Sequence, residues 1–331
     1  MPYGHESRGA GPVPAFEGGT GPAGPRRERS RAPAGTRHPL LILRMSLGLT
    51  QTEYAELVAR THAALGYGHL AARPEKVSRW ENGRVDPDRS SQLAIARIHR
   101  VSPREVDRVG WPYWLHPAAR RAAMYTLPWT RPGMVELLRS LEGDSRSARF
   151  PAEHSRSPVV TGPELVSFVA RALGALVVPV ETGREHPPMP GVVAALGRRV
   201  EVLEGMLDGT GADALRPVVA AELRLLAAVL AGRDGGGRVA DRLLLLVSRV
   251  AVLGARIHET LGQPAAEEDQ YLLAVRAAAA AGVPSVVGAG LAGLARLHER
   301  TGRASDARVL RRAAHAARRD RDTGCPPQPL S

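Results

Sequence analysis

Two short runs constrain this chain more than any other feature. In Leu49-Thr50-Gln51-Thr52-Glu53 a threonine is followed three residues later by glutamate. That spacing predicts a capped helix start: the hydroxyl accepts from the third helical N–H, and the carboxylate reaches back to the cap's own N–H. In Val77-Ser78-Arg79-Trp80-Glu81-Asn82-Gly83 the two large apolar residues are three apart, hence on one helical face. Asn82-Gly83 then predicts a helix stop. Tyr54, Leu57, Val58, Thr61 and Leu65 continue one face of the first helix, and Pro74 suits the first turn of the second. With Val77 and Trp80 turned to a core, Glu75, Lys76 and Arg79 point outward. A short helix carrying such groups can enter a major groove about 12 Å wide and reach base edges.

This constellation resembles the helix-turn-helix of the Xre/Cro/repressor family of DNA-binding regulators, in an actinobacterial-like form with its Ser-Arg-Trp-Glu run. The resemblance covers residues 39–110. It implies that Gln51 contacts the DNA backbone or a base, and that Asn82 meets phosphate. It implies a structural pair between Arg44 of the first helix and Glu81 at the end of the recognition helix. The outward recognition positions become Pro74, Glu75, Lys76, Ser78 and Arg79. Ala94, Ile98 and Val101 fit the core face of a fourth helix, and Ser102-Pro103-Arg104-Glu105 the start of a fifth. Family members commonly bind double-stranded DNA as homodimers, which suits a palindromic site. One departure stands out: residues 62–73, with Gly66-Tyr67-Gly68, are longer than the usual four-residue turn.

Charge permits this reading without locating it. The formal net charge is +12, compatible with a polyanionic partner. Lys76 is the only lysine, so the basic bias is almost wholly arginine and reads as GC-rich coding. Residues 39–110 carry a net charge of only +3. Cys325 is the only cysteine, which excludes an intrachain disulfide or a cysteine metal cluster. The N-terminus lacks the apolar core of a signal peptide, and no run of about 18 apolar residues spans a bilayer. A cytoplasmic protein with no membrane contact is expected.

The fold class expected is all-α in two domains. Residues 1–37, rich in Gly, Pro, Arg and Ala, read as a disordered arm. Residues 38–110 form the DNA-binding bundle, 111–143 an aromatic connector opening with Trp111-Pro112-Tyr113-Trp114, and 144–160 a linker. A helical domain for dimerisation or sensing follows over 161–320, then a tail over 321–331. Its helices are expected from Gly162-Pro163-Glu164 onward, and near 213–231, 239–261, 265–282, 284–300 and 305–319, with a break at 183–190. Val193, Leu196, Val200, Leu203 and Leu207 recur at spacings of three and four, as either a helix–helix seam or an ordinary core face. Ala255-Arg256-Ile257-His258-Glu259 and Ala295-Arg296-Leu297-His298-Glu299 match 40 residues apart. Each precedes a glycine, a pattern resembling a degenerate tetratricopeptide-like helix pair.

Other motifs are weaker. Gly288-Ala289-Gly290-Leu291-Ala292-Gly293 fits the GxGxxG nucleotide fingerprint, but only 38 residues follow it and they read as helices. Close helix packing is the expected use of these glycines. His258 and His298 lack a second histidine for a zinc motif and are expected to face solvent near helix ends. Trp111, Trp114, Tyr125 and Trp129 are expected to pack the connector onto the first domain or onto a dimer partner. The function expected is sequence-specific transcriptional regulation, without enzymatic activity or cofactor, with an effector small molecule or peptide left open. A helical-repeat interaction adaptor and a nucleotide-cofactor oxidoreductase are the alternatives.

Overall fold

Helices make up most of the described residues in the computed structural model, which covers residues 38–142, 160–177, 190–209, 211–231 and 237–319. The expected arm, the linker up to residue 159, most of the 183–190 break and the tail with Cys325 lie outside the described residues. Among those described there is no strand, and the fold is all-α. Five short helices come first: α1 (Pro39–Ser46), α2 (Gln51–Ala64), α3 (Pro74–Glu81), α4 (Arg89–Ile98) and α5 (Pro103–Val109). A 3-10 turn (Tyr113–Leu115) leads into α6 (His116–Thr126) and α7 (Arg131–Glu142). Then come α8 (Gly162–Val177), α9 (Pro190–Met206), α10 (Ala212–Ala231), α11 (Arg238–Thr260), α12 (Pro264–Ala280), α13 (Pro284–Arg300) and α14 (Ala304–Arg319).

Local chemistry sets the boundaries. Thr50 and Glu53 form the capping box, with Glu53 N donating to Thr50 Oγ1 at 3.3 Å and Thr50 N donating to Glu53 Oε2 at 2.8 Å. Asp88 and Ser102 cap α4 and α5 through their side chains. From α12 onward each helix doubles back on the one before through the same three-residue turn. At Leu261-Gly262-Gln263 the three N–H groups bond Ile257, Glu259 and His258 carbonyls at 2.9–3.1 Å. Ala281-Gly282-Val283 and Thr301-Gly302-Arg303 repeat that pattern on Ala277, Ala279 and Ala278, and on Leu297, Glu299 and His298. Each central glycine has a positive φ, 65–77°, where a Cβ would be strained.

Two cores result. The smaller gathers Leu40, Leu43, Tyr54, Val58, Val77, Trp80, Ile95 and Val106, and reaches Trp114, Leu115 and Ala119. The larger runs from Ala123 and Met124 through Met134, Leu137 and Leu138 of α7 to the helices α8–α14. The large core therefore begins before residue 161. The aromatic segment feeds both: Trp111 and Trp114 stack edge-on at 5.7 Å beside the smaller core, while Tyr125 and Trp129 meet Phe168 in the larger. Helix α6 is shared, with Ala119 in one core and Ala123 in the other, one turn apart.

Helix α12 is the centre of the larger core. Every residue from Tyr271 to Ala281 is buried, because α11, α13, α7 and α8 surround it. Its buried Arg276 donates to the carbonyls of Met124 (2.5 Å), Leu127 (3.1 Å) and Pro128 (2.8 Å), and lies 4.7 Å above the Trp129 ring. It thus closes the C-terminal end of α6, where carbonyls lack helical partners. Burial, then the nearby Arg171, lowers its pKa to about 10. Asp269 binds Arg120 and Arg121 at 2.7 and 2.9 Å, tying α12 to α6 again.

The Val193–Leu207 stripe is a core face: Leu196, Val200 and Leu203 are buried, and α9 packs on α11. His298 departs from the expectation of a solvent-facing residue. It is fully buried between Glu268 (3.5 Å) and Asp306 (3.8 Å), because α12 and α14 flank that side of α13. His258, half-buried, holds Gln263 at 2.8 Å.

Candidate nucleic-acid interface

Helix α3 is held from below. Val77 and Trp80 are buried in the smaller core, and Glu81 beside them is 6% exposed. A buried carboxylate is costly unless partnered. Arg44 Nε donates to Glu81 Oε1 at 2.6 Å, and Arg44 Nη2 to Oε2 at 3.4 Å. Gln51 Nε2 donates to the same Oε2 at 2.8 Å. Arg44 also donates to the Leu49 carbonyl at 2.6 Å, just before the α2 cap. One carboxylate thus fixes the end of α3 to α1 and to the start of α2. The family resemblance gives Gln51 a DNA contact; its amide nitrogen here orients α3 through Glu81.

The other face of α3 is open. Glu75, Arg79 and Asn82 are exposed, at spacings of four and three, with Pro74, Lys76 and Ser78 partly exposed. Asn82 Nδ2 donates to the Ser78 carbonyl at 2.7 Å, so its amide closes the helix. Arg73, the N-cap residue, makes no side-chain capping bond and is exposed, as is Arg84 beyond Gly83. These two arginines extend the basic face beyond the residues singled out from sequence. Their signal was position: one immediately before Pro74, one immediately after Asn82-Gly83.

The long α2–α3 connection is anchored. His62 is buried, with Nδ1 donating to the Gly68 carbonyl at 3.0 Å, since a carbonyl can only accept. Its Nε2 meets Ser90 Oγ at 2.9 Å, and that hydroxyl also meets Asp88 Oδ1 at 2.8 Å. The Tyr67 ring packs on His62 at 5.4 Å, and Leu70 packs against the smaller core. Across α2, Tyr54 meets His99 at 2.8 Å. Burial lowers the His99 pKa to about 4 and raises the Tyr54 hydroxyl pKa.

The glycine fingerprint serves packing. A Cβ at Gly288 would stand 2.9 Å from the Ala314 carbonyl of α14, one at Gly290 2.7 Å from Val275 Cγ2, and one at Gly293 within the Tyr271 ring. These glycines seat α13 against its neighbours. No described helix is long and apolar enough to cross a membrane. No protein-family model, no curated protein and no solved structure matches this chain.

Proposed function

We propose that this chain is a sequence-specific DNA-binding transcriptional regulator of the Xre helix-turn-helix type, acting by binding and not by catalysis. The observation that carries the reading is the division of α3. One side is locked by Val77, Trp80 and Glu81, and the other offers Glu75, Lys76, Ser78 and Arg79 to a groove. Side chains on a rigid helix whose rotation is fixed can read base edges with little ordering cost. Arg73 and Arg84 flank that face and suit phosphates on either side. The helices α8–α14 supply the dimer and the surface for any effector. Their repeated hairpins support a tetratricopeptide-like array.

The test uses the full chain, because α6 belongs to both cores. Duplexes selected from a random pool should converge on a palindrome. Arg79→Ala should lose about 1–3 kcal/mol of specific affinity and relax preference at one position per half-site. A pool that fails to converge, or an Arg79→Ala variant with unchanged affinity and preference, overturns the reading.

A further inference from the structure

Helix α14 carries the highest net charge of the described helices. Its sixteen residues hold five arginines and one aspartate, a net charge of +4, against +3 for the whole of residues 39–110. The charge is also sorted. Ala307, Leu310, Ala313, Ala314 and Ala317 are buried, while Arg308, Arg312, His315 and Arg319 recur at spacings of four, three and four and are exposed. These four fall within an arc of about 60°, and Arg311 and Arg318 widen it to about 120°. The one aspartate is turned inward: Asp306 accepts from Gly162 N at 3.4 Å and lies 3.8 Å from the buried His298.

Little on the neighbouring elements offsets this face. Helix α14 packs on α13 and α8, whose exposed acids among the described residues are Glu299 and Glu164. Glu299 pairs with Arg311. Among the described residues Arg308, Arg312 and Arg319 have no ion pair. The helix dipole favours Arg318 and Arg319 in the last turn. It gives no reason for Arg308, Arg311 and Arg312, and like charges three or four apart destabilise a helix. The last helix of an array needs a polar outer face, which mixed signs supply as well. Coding bias explains arginine in place of lysine, but not the missing acids.

We propose that the outer face of α14 is a sequence-independent contact for the phosphate backbone of duplex DNA, separate from the α3 face. Guanidinium forks match phosphate oxygens. Arg308 to Arg319 spans about 16 Å, a length over which a duplex carries on the order of ten phosphates. The exposed apolar residues of α14 are only Ala304 and Ala316, so a bilayer finds nothing to bury and a protein partner finds no anchor. A polar, wholly basic surface is the character of a nucleic-acid contact. The proposal rests on the regulatory reading for its purpose, holding the chain on DNA outside its operator, while its test reads the salt dependence of binding to arbitrary sequence.

The probe is a duplex of arbitrary sequence, titrated with the full chain between about 50 and 200 mM salt. The logarithm of affinity should fall linearly with the logarithm of salt. Arg308→Gln, Arg312→Gln and Arg319→Gln together should reduce that slope by about 2–3, at roughly 0.9 per phosphate contact. Helical dichroism and melting temperature should stay unchanged. Arg198→Gln, Arg216→Gln and Arg224→Gln, equally exposed on α9 and α10, remove the same charge and should leave the slope as it was. A parent chain that does not bind the duplex, an unchanged slope in the α14 variant, or an equal loss in the α9–α10 variant overturns the proposal. So does tighter, α14-dependent binding to phosphatidylserine vesicles than to the duplex. An α14-dependent slope without selection of a palindrome sinks the regulatory reading and leaves this surface standing. A selected palindrome with a slope indifferent to α14 does the reverse.

Discussion

The Tyr271 ring of α12 lies directly over the Cα of Gly293 in α13, leaving no room for a side chain. Both residues are buried, so neither can relax into solvent. Gly293→Ala should destabilise the chain by about 1–3 kcal/mol, despite alanine's better helix propensity. Tyr271→Leu should remove part of that clash. Urea melts of the two single variants and the double variant should give a sum well short of additivity. Additive costs would show that the ring and the glycine do not press on each other.

Arg44 and Glu81 should behave as one unit with Gln51. Their side chains are 12% and 4% exposed. Removing one partner of such a buried pair costs about 3–5 kcal/mol. Glu81→Gln should therefore destabilise strongly, whereas Arg44→Met with Glu81→Leu should cost less than the singles together. The free energies come from denaturant melts of the parent chain and each variant. Gln51→Ala should add little to Glu81→Gln, because its amide has lost its carboxylate.

Acid should weaken the N-terminal bundle through His99. Its folded pKa, lowered by burial, is about 4 against an ordinary 6.5. Between those values the unfolded chain binds the extra proton, so stability rises with pH across that window and falls as pH drops from about 6.5 to 4. The full difference is on the order of 3 kcal/mol for this one group. Melts of His99→Gln at pH 7 and pH 4.5 should differ less than those of the parent chain. His38, lowered to about 4 by burial and then by His116, acts in the same direction, so the slope should shrink without vanishing.

The helices were legible where their signals were local. The Thr50–Glu53 box, Pro74 and the Asn82-Gly83 stop bound α2 and α3 where expected, and the last five helices fall within two residues of their expected limits. Helix α6 was not separable from a connector. Its buried residues are Ala119, Ala123 and Met124, and two alanines and one methionine mark an apolar face too faintly to stand out from a connector. Helix α12 hides its role for a related reason: buried on all sides, it has no polar face to contrast with an apolar one. Arg276 could not be assigned at all, since its partners are backbone carbonyls some 150 residues away. The α9 pattern admitted both a seam and a core, and only the position of α11 decides between them.

Because α6 enters one core and leaves through the other without a break, the chain has no wrist. Arg276 clamps one end of that helix, Asp269 holds its middle, and α1 packs along it. The heading of α3 is then set by the body of the protein and not by a tether. Two such chains joined through their bodies would work as calipers with the jaws fixed. Operator length would become a structural constant, and an insertion of half a helical turn, about five base pairs, between half-sites would cost as much as losing one of them.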